Sequence, residues 1–343
     1  MKIAIITSKA TSLQNVGKDI AFVLMKKKQI VRLFSYPPSP VNISNIADAS
    51  IFIYPCNPLF ITPYFMMYRD YKQYAGLPSI FYTTVEGQPT TYLIKEWMLR
   101  DLEFIANSKY TANKLMEVGF NVIDIIPHGI VKEQVKEAEN LVPIVKDELK
   151  RKFKDKVIFG CIAFWHKRKG LDLLIEAIKK LNEKRKDFIV YLITNTIPKE
   201  VENLYVDCVF GKRSRTEIFA FLGAIDFLII PSLAEGFCLP LLEANAMGTL
   251  AIHCAYPPLT EISDLSSNLA FTFDNVVYED LDEGIHYEMH YYDTKKLADM
   301  MDYAIDMYKN NPQEYEKRCK KVKEIINKFN AEVLYEKFLN YLT

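Results

Sequence analysis

The sequence contains no GxGxxG fingerprint. The glycine-rich turn that seats a dinucleotide pyrophosphate on a helix start is therefore missing, and with it the main support for a nicotinamide-dependent oxidoreductase. It contains no CxxC pair either. The six cysteines, Cys56, Cys161, Cys208, Cys238, Cys254 and Cys319, are scattered through apolar runs. They read as reduced core residues of a cytosolic protein rather than a disulfide frame or a zinc site. No apolar run approaches the ~18 residues of a membrane span, and the opening MKIAIITS reads as a strand rather than a signal peptide. Net charge is absent too: 43 Lys and Arg balance 43 Asp and Glu, which argues against a general nucleic-acid binder.

What remains is a chain that is 50% apolar over 343 residues, long enough for two domains with separate cores. Its charge is unevenly spread. Residues 1–100 hold 11 Lys and Arg against 5 Asp and Glu, whereas residues 261–288 hold eight acids and no Lys or Arg. Runs that fit buried strands fall at 3–6, 30–34, 51–54, 79–83, 103–106 and 122–126. Helical patterns at 19–25 and 110–118 separate some of them, and residues 7–17 read as a polar loop. The charged stretch 132–156, with Pro143 inside, breaks the rhythm and reads as the interdomain region. Strands resume at 157–164, 190–194, 206–210, 226–230, 249–254 and 269–273, with helices over 171–181, 214–222 and 239–247. Three helical stretches follow Asp293. This alternation predicts α/β domains, each a doubly wound parallel sheet with its ligand edge at the carboxyl ends of the strands.

The most informative stretch is residues 231–248, PSLAEGFCLPLLEANAMG. It follows the apolar run DFLII at 226–230, which Pro231 and Ser232 stop. Gly236 permits a tight turn, and Pro240 suits the first turn of a helix, where its missing N–H costs nothing. Glu235 then lies in a loop at the carboxyl end of a parallel strand, and Glu243 about one turn into the next helix. Between them are the amides of Phe237, Cys238 and Leu239, at the helix N-terminus. Such amides favour an anion such as phosphate. Ionised carboxylates only accept hydrogen bonds, which suits hydroxyl groups. Phosphate flanked by hydroxyl-rich groups describes a nucleotide-sugar, although an ordinary strand–loop–helix with two solvated glutamates fits the spacing equally.

Glu-x7-Glu within PS-x-x-EGF-x-L-x-x-LEA-x-A-x-G resembles the donor-site signature of retaining glycosyltransferases of family 4, the glycosyl transferases group 1. The order and spacing of other segments extend a weaker resemblance over most of the chain. The resemblance implies a GT-B fold, two Rossmann-like doubly wound parallel-sheet domains facing each other across a cleft. An acceptor-binding domain is expected over 1–150, a donor-binding domain over 151–328, and a C-terminal helix over 329–343 that crosses back to the first. It also implies that Glu235, with Gly236 and the amides of Phe237, Cys238 and Leu239, holds the donor sugar, and that Glu243 holds the ribose hydroxyls.

Other segments take roles from the same resemblance. FWHKRKG at 164–170 is similar to the family's Gly-Arg…Lys-Gly segment, and Lys169 matches the lysine that contacts the donor diphosphate. The family arginine, five or six residues earlier, is replaced by Ala163 or Phe164, and Arg168 is the candidate substitute. On its own the stretch is a basic loop beside a helix start. Phe210 and Gly211 resemble the loop that reads the nucleotide base through backbone groups. TVEG at 84–87 stands where many members carry a His-containing segment, which makes Glu86 the nearest polar candidate for positioning the acceptor hydroxyl. His128, in a Pro-His-Gly turn, reads as shaping the cleft, and Gly17 as the close-approach glycine of the first loop. Asp280-Leu281-Asp282 is a D-x-D string that reads as a solvated acidic loop, so no metal and no cofactor is expected.

The expected activity is that of a retaining, hexosyltransferase-type enzyme. It would move a sugar from a nucleotide-diphosphate-sugar to an acceptor hydroxyl on a glycan, lipid or protein-linked acceptor. Lys169, Arg168 and the amides near Leu239 would stabilise the leaving diphosphate. Two rival readings share the donor site: a nucleotide-sugar epimerase of the same fold, and a catalytically weak nucleotide-sugar-binding protein that the missing arginine and histidine make credible. The aromatic-rich stretch 58–75 suits a sugar acceptor, an anionic lipid surface or a core helix. Cytoplasmic location is expected, with peripheral membrane contact if that surface meets lipid, and no nucleic-acid partner.

Overall fold

The computed structural model describes residues 1–281 and 283–342. The chain forms two compact units. One joins Met1–Val131, Tyr278–Glu288 and Phe329–Thr343, and the other joins Lys132–Val277 and Met289–Lys328.

In the first unit the strands are β1 (Lys2–Thr7), β2 (Ile30–Phe34), β3 (Ala49–Pro55), β4 (Ser79–Thr84), β5 (Gly87–Pro89), β6 (Glu103–Ala106) and β7 (Asn121–Ile125). All but β5 make one parallel sheet in the order β2-β1-β3-β4-β6-β7. β1, β3 and β4 are buried along nearly their whole length, as strands covered on both faces must be, hence their continuous apolar runs. The helix Pro58–Gln73 places Ile61, Phe65, Tyr68 and Tyr71 in the core. Phe65 packs on Phe81 with ring centroids 5.1 Å apart, and Tyr68 on Phe52 at 5.8 Å. Most of the aromatic density at 58–75 thus serves the core, while Leu59, Phe60 and Met66 stay exposed.

The first helix spans Thr11–Lys26, eight residues earlier than the apolar pattern at 19–25 indicates. Its first turns carry polar residues on the exposed side, while Leu13 and Val16 are buried. Gly17 is therefore a helical residue and not part of a loop. A Cβ there would meet Thr7 Cγ2 at 2.5 Å, so the glycine lets the helix lie close on β1. At the other end of the chain, the helix Ala331–Glu336 packs on Thr11–Lys26. Gly129 N–H donates to Tyr335 Oη at 2.8 Å, and a Cβ on Gly129 would meet Ala331 Cα at 2.5 Å.

The second unit repeats the plan with β8 (Val157–Ile162), β9 (Phe188–Ile193), β10 (Leu204–Asp207), β11 (Phe227–Ile230), β12 (Leu250–Cys254) and β13 (Leu269–Phe271). They form a parallel sheet in the order β10-β9-β8-β11-β12-β13. The helices Lys132–Glu139 and Val142–Phe153 pack on Arg215–Ala224. Residues 132–150 therefore belong to the second unit, and the division falls at Val131/Lys132 rather than at 150. The physical reason is apolar: Val135, Ala138 and Leu149 are buried within an otherwise charged stretch.

The acidic stretch holds a hairpin, β14 (Asn275–Asp280) and β15 (Ile285–Tyr291), rather than a loop. β15 pairs antiparallel with β5, Ile285 opposite Pro89 and Tyr287 opposite Gly87. A Cβ on Gly87 would lie 2.1 Å from the His286 carbonyl oxygen, so this pairing requires glycine. Glu288 accepts from Tyr110 Oη at 2.9 Å and pairs with Lys114 at 3.0 Å. Of the D-x-D string, Asp282 lies outside the described residues, and Asp280 Oδ2 is 3.9 Å from His286 Nδ1. Among the described residues no group of three or more His, Cys, Asp or Glu is placed to hold a metal ion. No helix among them is long and apolar enough to cross a membrane.

Candidate functional site

Two loops at the carboxyl ends of β8 and β11 build the site in the second unit. The first runs from Ala163 through a 3-10 turn, Lys167–Lys169, to Gly170, which starts the helix Leu171–Asn182. The second is the stretch 231–238. They are joined at the backbone: Leu233 N–H donates to the Arg168 carbonyl at 2.7 Å. Gly170 has φ +60°, and a Cβ there would lie 2.1 Å from the Pro231 carbonyl oxygen. Buried side chains hold the second loop from behind. Tyr292 Oη donates to Pro231 O at 2.7 Å, Tyr256 Oη to Ser232 O at 2.9 Å, and His290 Nδ1 to Leu233 O at 3.1 Å. Tyr256 and His290 also stack, with centroids 4.1 Å apart. Three consecutive carbonyls are thus satisfied by residues 24 to 61 positions away.

Glu235 is only 5% exposed. Lys169 Nζ lies 2.5 Å from its Oε1 and Arg168 Nη1 lies 3.5 Å from its Oε2. Arg168 also donates to the Ala234 carbonyl at 3.3 Å. Burial works against the charge on Glu235, yet the Lys169 and Arg168 cations outweigh it and hold the carboxyl below its usual range. Lys169, Arg168 and Glu235 therefore meet in one corner. The guanidinium arrives from Arg168, while Ala163 is buried and Phe164 is 50% exposed. The Phe164 ring pairs edge-on with Phe210 at 5.9 Å. Gly211, beside it, has φ +74° in the turn after β10.

Cys238 caps the helix Leu239–Ala246 in the left-handed region, φ 77°, with Pro240 in the first turn. That conformation costs a non-glycine residue about 1–2 kcal/mol. Burial pushes the Cys238 thiol well above its ordinary range, so it is not a ready nucleophile. Gly236 and the buried Phe237 complete the turn. In the first turn of the helix Pro240 carries no N–H and Leu241 N–H donates to the Cys238 carbonyl at 3.2 Å. Glu243 follows one turn on, 7% exposed. Arg215 Nη2 lies 3.0 Å from its Oε1. Arg215 opens the helix Arg215–Ala224, whose start is fixed by a Ser214–Glu217 capping box, and its guanidinium lies over the Phe219 ring at 5.3 Å.

Further along the same helix, Asn245 and Asn268 exchange hydrogen bonds at 3.0 and 2.8 Å. Asn268 donates to Ser263 Oγ, which lies 2.8 Å from His253 Nε2. His253 Nδ1 faces the Cys254 carbonyl and so carries the proton. Burial pushes the His253 pKa down to about 4. An unfolded imidazole takes up a proton near pH 6.5, the folded one only near 4. The stability of the neutral ring is therefore complete above pH 6.5 and lost progressively between 6.5 and 4. Urea unfolding of the wild type should lose about 2 kcal/mol between pH ~7 and ~5 from this group, and His253→Gln should lack that share of the slope.

The remaining sequence candidates lie in the first unit. His128 is 3% exposed. Tyr82 Oη spends its proton on the Ile126 carbonyl at 2.7 Å, so it accepts from His128 Nδ1 at 2.8 Å. Asn107 Nδ2 then donates to Nε2 at 3.2 Å. The ring is engaged on both nitrogens, a structural role. Glu86 is half-buried at the bend between β4 and β5. The structure thus gathers Lys169, Arg168, Glu235 and the start of the signature helix, and leaves Glu86, His128 and Gly17 in the other unit. Sequence reasoning missed Arg215, Tyr256, His290 and Tyr292. Only the capped helix start at Ser214 hinted at the first of these.

Residues 144–307 match the family described as glycosyl transferases group 1. The chain is 34% identical over 347 residues to the uncharacterized glycosyltransferase 335 of Sulfolobus islandicus rod-shaped virus 1, covering 99% of this chain and 100% of that protein. Among solved structures it is similar to Anabaena Alr3699/HepE in complex with UDP and glucose. There the TM-score is 0.69 and the identity 13%, over 100% of this chain and 99% of the other. It is also similar to the E. coli trehalose-6-phosphate structure bound with UDP-2-fluoro glucose. There the TM-score is 0.70 and the identity 12%, over 100% and 99%. At such identities these two likenesses speak to the fold, two parallel six-stranded sheets of the GT-B type. The whole-length relative and the matched segment together decide the family: the chain belongs to the glycosyl transferases group 1, glycosyltransferase family 4, and is a retaining glycosyltransferase of GT-B fold, a class that draws on nucleotide-sugar donors.

Proposed function

We propose that this chain transfers a sugar from a nucleotide-diphosphate-sugar to an acceptor hydroxyl without a metal ion. The observation that carries the reading is the meeting of Lys169 and Arg168 with Glu235 beside the helix Leu239–Ala246. Breaking the bond between the sugar C1 and the diphosphate oxygen leaves negative charge on the phosphate and positive charge on the sugar. Two side-chain cations and a helix start suit the first, which is electrostatic stabilisation of a leaving group. An ionised Glu235 suits the sugar hydroxyls. The lysine ammonium has three donors, so it can hold Glu235 and a phosphate oxygen together. The acceptor oxygen bonds C1 on the face that the diphosphate leaves, and its proton passes to the departing phosphate oxygen. Atoms balance without a protein base. Glu243 takes the ribose hydroxyls, and the Phe210–Gly211 turn takes the base. Glu86 is assigned to the acceptor, a hydroxyl of a glycan, lipid or protein-linked chain, with His128 and Gly17 supporting the first unit around it.

UDP-linked hexoses are the first donors to test, because both solved neighbours named above hold UDP or a UDP-sugar. Calorimetry should compare UDP, GDP and ADP with their sugar conjugates, in EDTA and in magnesium, for wild type and Glu235→Ala. The expected result is EDTA-resistant binding of one nucleotide-sugar, with the sugar's share of the affinity lost in the variant. Binding to none of them would remove the donor site. Release of free epimer without an acceptor would favour an epimerase, and binding without turnover across glycan and lipid acceptors would favour a binding protein. The exposed Leu59, Phe60 and Met66 on the helix Pro58–Gln73 support peripheral contact with lipid or a lipid-linked acceptor. Sedimentation with anionic vesicles tests that contact.

A further inference from the structure

Glu243 presents a difficulty that the fold must solve. A carboxylate that is 7% exposed has lost most of its water. Burial without a counter-charge disfavours the ionised form of a carboxyl group, and a neutral carboxyl is a poorer acceptor for two ribose hydroxyls than a carboxylate. The protein places a guanidinium against it. Arg215 Nη2 lies 3.0 Å from Oε1, and both side chains are largely buried, at 12% and 9% exposure. Arg215 is itself fixed: it opens a capped helix, and its guanidinium lies on the Phe219 ring one turn along. A carboxylate has about four lone-pair positions. A single ion-pair contact does not by itself fill them.

We propose that Arg215 is the positioning residue for ribose recognition: it orients Glu243 and keeps it an acceptor, and so makes the site select ribonucleotide over deoxyribonucleotide donors. This rests on the donor reading above, and specifically on Glu243 as the ribose ligand. Arg215 need not touch the donor. Its effect passes through Glu243, so it should appear only with ligands that carry ribose hydroxyls.

The test is a binding comparison with a built-in control. Affinities of UDP and 2′,3′-dideoxy-UDP are measured by calorimetry on the full chain, for wild type, Glu243→Gln, Arg215→Met and Arg215→Lys. GDP and ADP pairs are used if UDP does not bind. The wild type should prefer the ribonucleotide by at least about tenfold, the worth of one charge-assisted hydrogen bond. In Arg215→Met that preference should collapse towards one, while the dideoxy affinity stays within about twofold of wild type. Arg215→Lys, which keeps the charge but not the fork, should restore part of it, and it decides the matter if the methionine variant fails to fold. If Glu243→Gln abolishes the preference but neither Arg215 variant changes it, Arg215 has no such role and the ribose assignment stands. If Glu243→Gln leaves the preference intact, the ribose assignment itself falls, and this proposal with it. Equal loss for both ligands in Arg215→Met would mark a merely structural residue and overturn the proposal. A wild type that binds none of the three nucleotides overturns both readings.

Discussion

Lys169→Met should lower turnover by about 10²- to 10³-fold, the usual cost of removing one group aimed at developing charge. Two effects combine at this position. The first is direct, because the ammonium that would meet the leaving diphosphate is gone. The second passes through Glu235, whose Oε1 loses its partner at 2.5 Å while Arg168 remains at 3.5 Å from Oε2. Burial then weighs more heavily on the carboxylate, and its pKa must rise. The sign follows. In the wild type the carboxyl is held below its usual range, so the charge of Glu235 and the stability it confers are present at neutral pH and lost only as pH falls through that depressed value. In Lys169→Met the acid limb of activity should move to higher pH. Steady-state rates across a pH series check both points. Unchanged turnover would move the leaving-group role elsewhere, and an unshifted acid limb would mean that Arg168 alone controls Glu235. Some stability is expected to go as well, about 3 kcal/mol, because a buried pair has lost one member.

Gly170→Ala is expected to destabilise the second unit by about 3 kcal/mol or more and to abolish donor binding. Two costs add. The left-handed backbone at φ +60° is worth about 1–2 kcal/mol against any residue with a Cβ. The new methyl would also stand 2.1 Å from the Pro231 carbonyl oxygen, and backbone atoms cannot yield as a flexible side chain can. The loops must separate. Separation strains the Leu233-to-Arg168 hydrogen bond at 2.7 Å, and that bond sets the register of Lys169 against Glu235. Relief by moving the Pro231 loop instead would disturb the Tyr292 contact to the same carbonyl. Thermal unfolding and nucleotide calorimetry measure the two losses. A variant as stable as wild type that still bound its nucleotide would show that the loops part at little cost.

The sheets were largely legible because a parallel strand covered on both faces must be apolar throughout. β3 and β9 are buried from end to end or nearly so and show as unbroken runs. The signature stretch was legible because its chemistry is local: Pro240, Gly236 and two glutamates at fixed spacing give strand, turn and helix without reference to anything distant. What escaped depends on partners far along the chain. The hairpin β14–β15 lies in an acid-rich stretch, and its role comes from Tyr110, Lys114 and β5, well over a hundred residues earlier. The Tyr256, His290 and Tyr292 contacts to three loop carbonyls, like the Arg215–Glu243 pair, have no local pattern. The helix Thr11–Lys26 begins before its apolar spacing does, because its first turns are polar on their exposed side and look like a loop when only apolar spacing is counted.

Neither unit is a single length of chain, and this sets an order of completion during synthesis. The residues up to Val131 leave the ribosome before the second unit and carry all six strands of the first sheet. Yet that sheet's unit receives its hairpin only at Tyr278–Glu288, and the helix that meets Gly129 only after Phe329. The second unit starts later but closes at Lys328, before the first is whole. The nascent first unit must therefore wait, with the Gly129 amide and the β5 edge uncovered, for about two hundred residues to be made, while the intervening chain folds as a closed loop. Long-range closure of this kind is slow. The first unit's sheet is made before the second unit's, yet that unit is finished later, and the helix Ala331–Glu336 acts as its latch.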